Sequence, residues 1–429
     1  MTFAPCRPSP GRAIVRDMKP FATKLAAAAA LLLVVVLPGS LAGCAGGGGA
    51  TAAPTNAPEP TASPAATASA APTATPAPTP DVQGLLDESR AKYGAPGALV
   101  VLEKDGERWF ATSGAADLDG TEITESTRFR IASITKTIVA TLVLDAVAQD
   151  QLSLDDVVGE LLPGVLRPDP PVTVRQLLDH TSGIFDWSNA SDPADIEKIE
   201  DPALRAEAEA TLESYEAGER VIVSDRVIVA LAETHDRYFE PGTDFHYSNT
   251  NYQLAAMVLE EVTGTPLADL LRTRIVEPLG LRHTTIAPPD LGSPELRGYG
   301  QASADPELVD LTDDLILAGN GGDGGIVTNA DDLLVTMRAI LSGELLPAPL
   351  LTEMMTPSKF NYGLGLMAVQ TPCGIYFGHH GAGYGTTSVA LVSPDGADGV
   401  VIAMNLQADS QANNPNLQAL ADQMLCPGT

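Results

Sequence analysis

Hydrophobic and polar positions follow three different regimes along the chain. Near the N-terminus an unbroken apolar run, Leu25 to Leu37, stands behind Lys19 and Lys24. From Ala45 to Pro80 there is no period at all, only Gly, Ala, Thr, Pro and Ser with Asn56 and a single charge at Glu59. Beyond Asp81 the pattern becomes that of a folded protein. DVQGLLDESRAKY (81–93) predicts an opening helix, and GALVVLEKDGERWFATSG (97–114) predicts two strands around the turn pair Asp105-Gly106. A long helical pattern runs from Ile134 to Gln149. The stretch 150–340 reads as helices and loops, with an acidic helix-favouring run from Asp195 to Gly218. Strand patterns return at 362–369, 375–379, 386–392 and 400–405, the last two joined by SPDGADG, and a helix at 414–424 closes the chain. Strands at both ends with helices between them predict an α+β domain. Its antiparallel sheet is built from both ends of the domain and flanked by helices, with a mainly helical region inserted.

The leader is too short and wrongly flanked for a lasting membrane span, and residues 1–44 read as a signal peptide. Residues before Met18 look like an upstream start. The ending Leu41-Ala42-Gly43-Cys44 resembles the lipobox of bacterial lipoproteins. That resemblance implies lipidation of Cys44, which becomes the new N-terminus, and an extracytoplasmic protein anchored to the cell membrane. The competing reading is an ordinary signal peptide that happens to contain a cysteine. Residues 45–80 form a tether with nothing apolar enough to bury. As a coil it spans roughly 35 Å, and fully extended about 110 Å. The remainder, 81–429, is long enough for one large domain with a sizeable core.

Charge narrows the partners. The chain carries −30, and the leader contributes five basic residues and one acidic, so the chain beyond Gly43 carries −34. Such a surface argues against nucleic acid and against attraction to anionic lipid. Of four cysteines, Cys6 and Cys44 belong to the leader, which leaves Cys373 and Cys426 as an even pair in an oxidising compartment.

The chemistry-bearing motif is FRIASITKT, in which Ser133 precedes Lys136 by one helical turn. Positions i and i+3 share a helix face, so the Lys136 ammonium can lie beside the Ser133 hydroxyl, a weak nucleophile until a neighbour takes its proton. Serine at a helix start also gains a free backbone N–H and the positive dipole end. Ser89 and Lys92 match the same S-x-x-K spacing, but on the first helix, where a solvated face is the simpler reading. A second element, FEPGTDFHYSNTNY (239–252), offers Tyr247 and Asn249. A nearby lysine charge favours the phenolate of Tyr247, and Asn249 could steer a substrate amide and hold Lys136. A third element, FGHHGAGYG (377–385), lies on a predicted strand. Gly381 there would admit a substrate backbone, and the Ala382 N–H would complete an oxyanion hole with that of Ser133. Paired histidines could instead bind a metal, but no further ligand spacing supports one. The glycine cluster at 319–325 lacks the lysine and the preceding strand that a phosphate loop needs. Neither a metal nor a cofactor is expected.

This order of S-x-x-K, Tyr-x-Asn and His-x-Gly resembles the class C β-lactamase and D-alanyl-D-alanine carboxypeptidase superfamily of penicillin-binding-protein-like serine hydrolases. LLDHTSGI (177–184), EPLGL (277–281), GGIVTNADDL (324–333) and NYGLGL (361–366) resemble further stretches of it, so the likeness covers about 90–425. It implies a β-lactamase/transpeptidase-like fold and an acyl-enzyme mechanism on an ester, a D-amino-acid peptide or a β-lactam-like amide, peptidoglycan-derived peptides included. By it, Ser133 is the nucleophile, Tyr247 and Lys136 handle the proton, and Asn249, His379, His380, Gly381 and Ala382 bind substrate. His180, Ser182, Gly324 and Gly325 are read as structural, and Thr328 and Asp331 sit at capping-box spacing. In the same fold the closing helix packs on the sheet, so a Cys373–Cys426 bridge would tie it down, contributing on the order of 4 kcal/mol by chain-entropy reasoning; two free thiols are the other possibility. Many relatives carry Lys-Thr-Gly where this chain has His379-His380-Gly381. That departure favours peptidase or esterase activity over β-lactam hydrolysis, with activity on carboxylate-bearing substrates rising at low pH if His379 supplies the charge. Outside enzymes, the alternative is a lipoprotein that binds penicillin or muropeptides without turnover, as sensor or scaffold.

Overall fold

The computed structural model describes residues 80–428 except 191, 287–294, 303, 304, 313–315, 320, 359 and 409–414. The signal segment, Cys44 and the tether fall outside the described residues. Helix α1 (Val82–Tyr93) is capped by Asp81, whose carboxylate accepts the Gly84 N–H at 2.9 Å. Strands β1 (Gly97–Lys104) and β2 (Glu107–Gly114) come next as a hairpin. Asp105 and Gly106 turn it with φ of 52° and 80°, the positive pair that a two-residue hairpin of matching twist requires.

Helix α2 (Thr135–Ala148) is apolar on nearly every side and runs through the interior. Its threonines bond to backbone, Thr137 to the Gly365 carbonyl at 2.6 Å and Thr141 to that of Thr137 at 2.8 Å. Helix α3 (Asn249–Thr263) packs on it, and its first eight residues are buried. Helix α4 (Ala330–Leu341) is capped by Asn329, whose side chain accepts the Asp332 N–H at 2.9 Å. The expected Thr328/Asp331 capping pair is therefore displaced by one residue. Thr328 bonds to Thr284 instead, and Asp331 pairs with Arg108.

Strands β3 (Met367–Thr371), β4 (Gly374–Gly383), β5 (Thr386–Val392) and β6 (Gly399–Met404) and helix α5 (Leu417–Leu425) complete the domain. The sheet is antiparallel in the order β3-β4-β5-β6-β1-β2, so the two ends of the domain meet where β6 pairs with β1. Both β1 and β6 are buried on both faces. Leu99 and Val101 face the cluster that contains α2, α3 and α4, while Val100 and Leu102 face α1 and α5. This is why their sequences are continuous apolar runs and not alternating ones. Each fully buried Val or Leu contributes about 1.5–3 kcal/mol. Cys373 is bonded to Cys426 with the Cα atoms 5.5 Å apart, tying the end of α5 to the turn before β4. Residues 362–366, expected to begin a strand, form a loop ahead of β3.

Candidate active site

Ser133 lies in a tight 3₁₀ turn, Ala132–Ile134, that leads into α2. The residue before it, Ala132, takes a left-handed φ of 45°, a conformation costing an alanine about 1–2 kcal/mol. One turn later Lys136 points back, and its Nζ lies 3.2 Å from Ser133 Oγ. The ammonium is fully buried and donates to Asn249 Oδ1 at 2.8 Å and to the Asp323 carbonyl at 2.6 Å. Burial lowers its pKa to about 8, against the opposing pull of Asp323 and Asp186.

Tyr247 stands with its ring 5.0 Å from Lys136 Nζ and faces Ser133. The phenolate expected from the neighbouring lysine is not favoured. Burial and the adjacent Tyr362 raise the phenol well above its ordinary pKa, and the bond towards Ser133 opposes this only in part. Its hydroxyl is buried, which disfavours the charged form, and the carboxylates of Asp186 and Asp323 add to the rise. Tyr247 Oη forms no well-aligned hydrogen bond within the described residues.

Asn249 opens α3 with its amide committed to the protein. Oδ1 accepts from Lys136, and Nδ2 donates to Asp186 at 3.2 and 3.3 Å and to Ser188 at 3.3 Å. Its placement is that of a brace for Lys136 more than of a substrate contact. His180 and Ser182 hold the same loop from behind. His180 Nδ1 accepts the Ser248 N–H at 3.2 Å, its ring lies 4.3 Å from that of Tyr247, and Ser182 Oγ donates to Asn251 at 2.6 Å.

The third element divides between the two faces of the sheet. His379 pairs with Ala390 and His380 with Val389, and paired residues of an antiparallel sheet share a face. Ala390 belongs to the cluster around α2, but Val389 belongs to the one under α1 and α5. His380 therefore points away from Ser133, and its expected place beside the substrate is corrected. The reason is the period of two along a strand. Burial takes its pKa down to about 4. His379 faces the site but is buried and spent on internal bonds. Its Nδ1 lies 2.6 Å from the His380 carbonyl, which can only accept, so Nδ1 carries the proton and Nε2 accepts from the Tyr362 hydroxyl at 3.0 Å. Burial lowers its pKa to about 3.

Gly381 also differs from its expected use. A Cβ there would lie 2.2 Å from the Ile131 carbonyl and 2.7 Å from Ser388 Oγ. The space it leaves is filled by the protein's own nucleophile turn, not by substrate. Ala382 is the next residue on β4, and β3 pairs with that strand only as far as Gly378, so 379–383 form an open edge beside this turn. The second S-x-x-K match, Ser89 and Lys92, lies elsewhere on α1, with Lys92 exposed.

Sequence reasoning does not single out Asp186, Asp323 or Tyr362, yet all three belong to the site. Asp186 is buried and accepts from Asn249 and from Ser188. Asp323 gives its carbonyl to Lys136 and a carboxylate oxygen to Trp187 Nε1 at 3.2 Å. Tyr362 bonds His379. Burial raises the pKa of both aspartates above the ordinary carboxylate value. Asp323 lies in the glycine run 321–325, which instead of cradling phosphate brings a backbone carbonyl to the lysine. Among the described residues no group of three or more His, Cys, Asp or Glu is arranged to hold a metal.

Residues 82–423 match the Beta-lactamase family. The chain belongs to that family. Its fold is accordingly β-lactamase/transpeptidase-like, and the protein is a serine hydrolase of this superfamily. The structure of a D-stereospecific amidohydrolase from Streptomyces sp. is 33% identical with a TM-score of 0.67, and the match covers 81% of this chain and 98% of that one. D-amino acid amidase from Ochrobactrum anthropi SV3, in complex with D-phenylalanine, is 27% identical with a TM-score of 0.67, covering 80% and 96%. Among curated proteins, Esterase EstB of Burkholderia gladioli is 28% identical over 60% of this chain and 69% of its own length. A D-aminopeptidase of Cereibacter sphaeroides is 28% identical over 78% of this chain, which spans only 62% of that longer protein.

Proposed function

We propose that this protein hydrolyses D-amino-acid amides or short D-peptides, and related esters, through an acyl-enzyme on Ser133, in preference to β-lactams. The observation that carries the substrate preference is the state of His379. Both of its ring nitrogens are engaged, and with a pKa of about 3 it is neutral throughout the physiological range. The third element therefore supplies no fixed charge for a β-lactam carboxylate. For the same reason the rise of carboxylate-directed activity towards pH 6, expected if His379 supplied the charge, has no source. Relatives named for D-amino-acid amide, peptide and ester hydrolysis support the reading.

In the proposed mechanism neutral Lys136 accepts the Ser133 proton as Oγ bonds to the substrate carbonyl carbon. The backbone N–H groups of Ser133 and Ala382 receive the oxyanion. Collapse breaks the bond to the leaving amine or alkoxide, which takes a proton from Tyr247, itself reprotonated by the Lys136 ammonium. Water then attacks the acyl-enzyme, passes its proton along the same pair, and releases the carboxylic acid and free Ser133. A lysine with a pKa of about 8 suits this role better than the phenol, whose pKa is raised. The lysine must be neutral to act, which sets the sign of the pH dependence. We expect kcat/KM for an uncharged ester to fall about tenfold per unit as pH drops below about 8. A flat profile from pH 6 to 9 contradicts Lys136 as the base.

The preference itself is tested with purified protein on D-phenylalanine amide, a short-chain ester and a chromogenic cephalosporin. We expect kcat/KM for the better of the first two to exceed that for the cephalosporin by about tenfold or more. A cephalosporin preferred by the same margin overturns the substrate assignment.

The lipobox-like Leu41-Ala42-Gly43-Cys44 supports a place outside the cytoplasm, with the domain held off the membrane by residues 45–80. Detergent partitioning of the mature protein, lost in Cys44→Ser, is the expected result. Mass spectrometry showing an unmodified mature N-terminus downstream of Cys44 refutes the anchor.

A further inference from the structure

Two carboxylates and one ammonium meet at the nucleophile, and the two carboxylates are not alike. Asp186 is closed off: it is 5% exposed, and it accepts from the Ser188 backbone N–H, the Ser188 hydroxyl and, on both oxygens, the Asn249 amide. Every partner is a donor, which fixes it as a carboxylate that braces Asn249. Asp323 is only partly buried, and its carboxylate is held by Trp187 Nε1 at 3.2 Å and by its own backbone N–H, with no cationic side chain bonded to it among the described residues. Its backbone carbonyl lies 2.6 Å from the Lys136 Nζ that is 3.2 Å from Ser133 Oγ, and its carboxylate acts electrostatically on both Lys136 and Tyr247, which puts it beside the reaction centre.

Resting on the hydrolase reading above, we propose that Asp323 is the specificity residue that receives the free α-ammonium of a D-amino-acid amide or peptide. The chemistry of the cleft favours a cation there. His379 carries no charge, so Lys136 alone offsets Asp186 and Asp323 within this cluster. When Lys136 becomes neutral to accept the serine proton, the surrounding negative charge is left uncompensated. A substrate ammonium beside Asp323 replaces that countercharge and at the same time favours the neutral lysine. The α-nitrogen is bonded to the carbon that carries the scissile carbonyl, so a substrate seated at Ser133 brings its amine to the same end of the cleft. An N-blocked substrate forfeits the ion pair and leaves Asp323 partly desolvated without a countercharge.

The test compares D-phenylalanine amide with N-acetyl-D-phenylalanine amide and with 3-phenylpropionamide, which lacks the amine and is no larger than the parent. For the unmodified protein, kcat/KM for the free amine should exceed both others by about tenfold or more. In Asp323→Asn, which keeps an oxygen for Trp187, the ratio of free-amine to amine-less substrate should fall about tenfold. A ratio near one in the unmodified protein, or the same ratio in the variant, overturns the role of Asp323 while leaving the hydrolase reading standing. The unmodified protein decides the first of these without depending on how the variant folds. If no amide and no short-chain ester is hydrolysed at all, the hydrolase reading itself fails and the inference with it.

Discussion

Replacing Ser133 by alanine should abolish turnover of every substrate, and replacing Lys136 by alanine should cost nearly as much. Ser133 Oγ and Lys136 Nζ form one bonded unit, and Lys136 also links Asn249 to the Asp323 loop. Groups that act as a unit lose most of their effect when one is removed, so losses of ~10³-fold or more are expected for each and the double variant should be little worse. Tyr247→Phe should cost less, about 10²-fold, because it removes one proton-transfer partner and keeps the ring beside His180. A serine-reactive fluorophosphonate should label Ser133 and leave Ser89 untouched. Near-normal turnover by the Ser133→Ala protein removes the mechanistic assignment altogether. Lys136→Ala carries a structural risk, since it leaves Asn249 Oδ1 and the Asp323 carbonyl without their buried donor. Thermal unfolding of that variant separates lost chemistry from lost fold.

What was legible in the sequence was local or periodic. The S-x-x-K spacing places two groups on one helix face wherever the helix forms, and the 3.2 Å contact results from that spacing. Strands β1, β5 and β6 could be read from apolar runs bounded by turn residues, because burial on both faces demands such runs. The strand expected at 362–369 fails in its first half for a local reason. Gly363 packs against the Met354 carbonyl, and Gly365 adopts a φ of 71° that breaks the extended conformation. That break is what brings the Tyr362 hydroxyl to His379.

The misplaced and missed residues share a different cause. His379 and His380 are neighbours in sequence, and the alternation that separates them was available from the strand pattern alone. What could not be read was which histidine faces Ser133, since that depends on register with β5. Asp186 and Asp323 carry no local signature. Asp323 reaches Lys136 across 187 residues, and a single acid within a glycine run looks like any surface turn. Their effect on the site is electrostatic, and it appears only once the intervening chain has folded.

A methyl group added at Gly381 should damage both stability and turnover, although the residue is not one of the reacting groups. The Cβ of Gly381→Ala would stand 2.2 Å from the Ile131 carbonyl and 2.7 Å from Ser388 Oγ. The first obstacle is backbone, two residues before Ser133, so no rotamer can relieve it. Either β4 or the 3₁₀ turn must move, and both are constrained. The turn is held by the Ile131 N–H bond to the Ile326 carbonyl at 3.1 Å and by Ala132 in its left-handed conformation. Strand β4 is held by its register with β5 from Phe377 to Gly383. Overpacking of this kind costs about 1–3 kcal/mol in stability. The larger effect should fall on kcat, because a shift of about 1 Å between the Ser133 turn and the 379–383 edge separates the two proposed oxyanion donors and costs ~10²-fold. Urea unfolding and kcat/KM on a short-chain ester, measured on the same preparation, check both parts. A Gly381→Ala protein with full activity would show that β4 and the nucleophile turn are not coupled as the packing implies. Full stability with lost activity would instead place the strain in the turn alone, where the left-handed Ala132 already holds Ser133 off the regular helix.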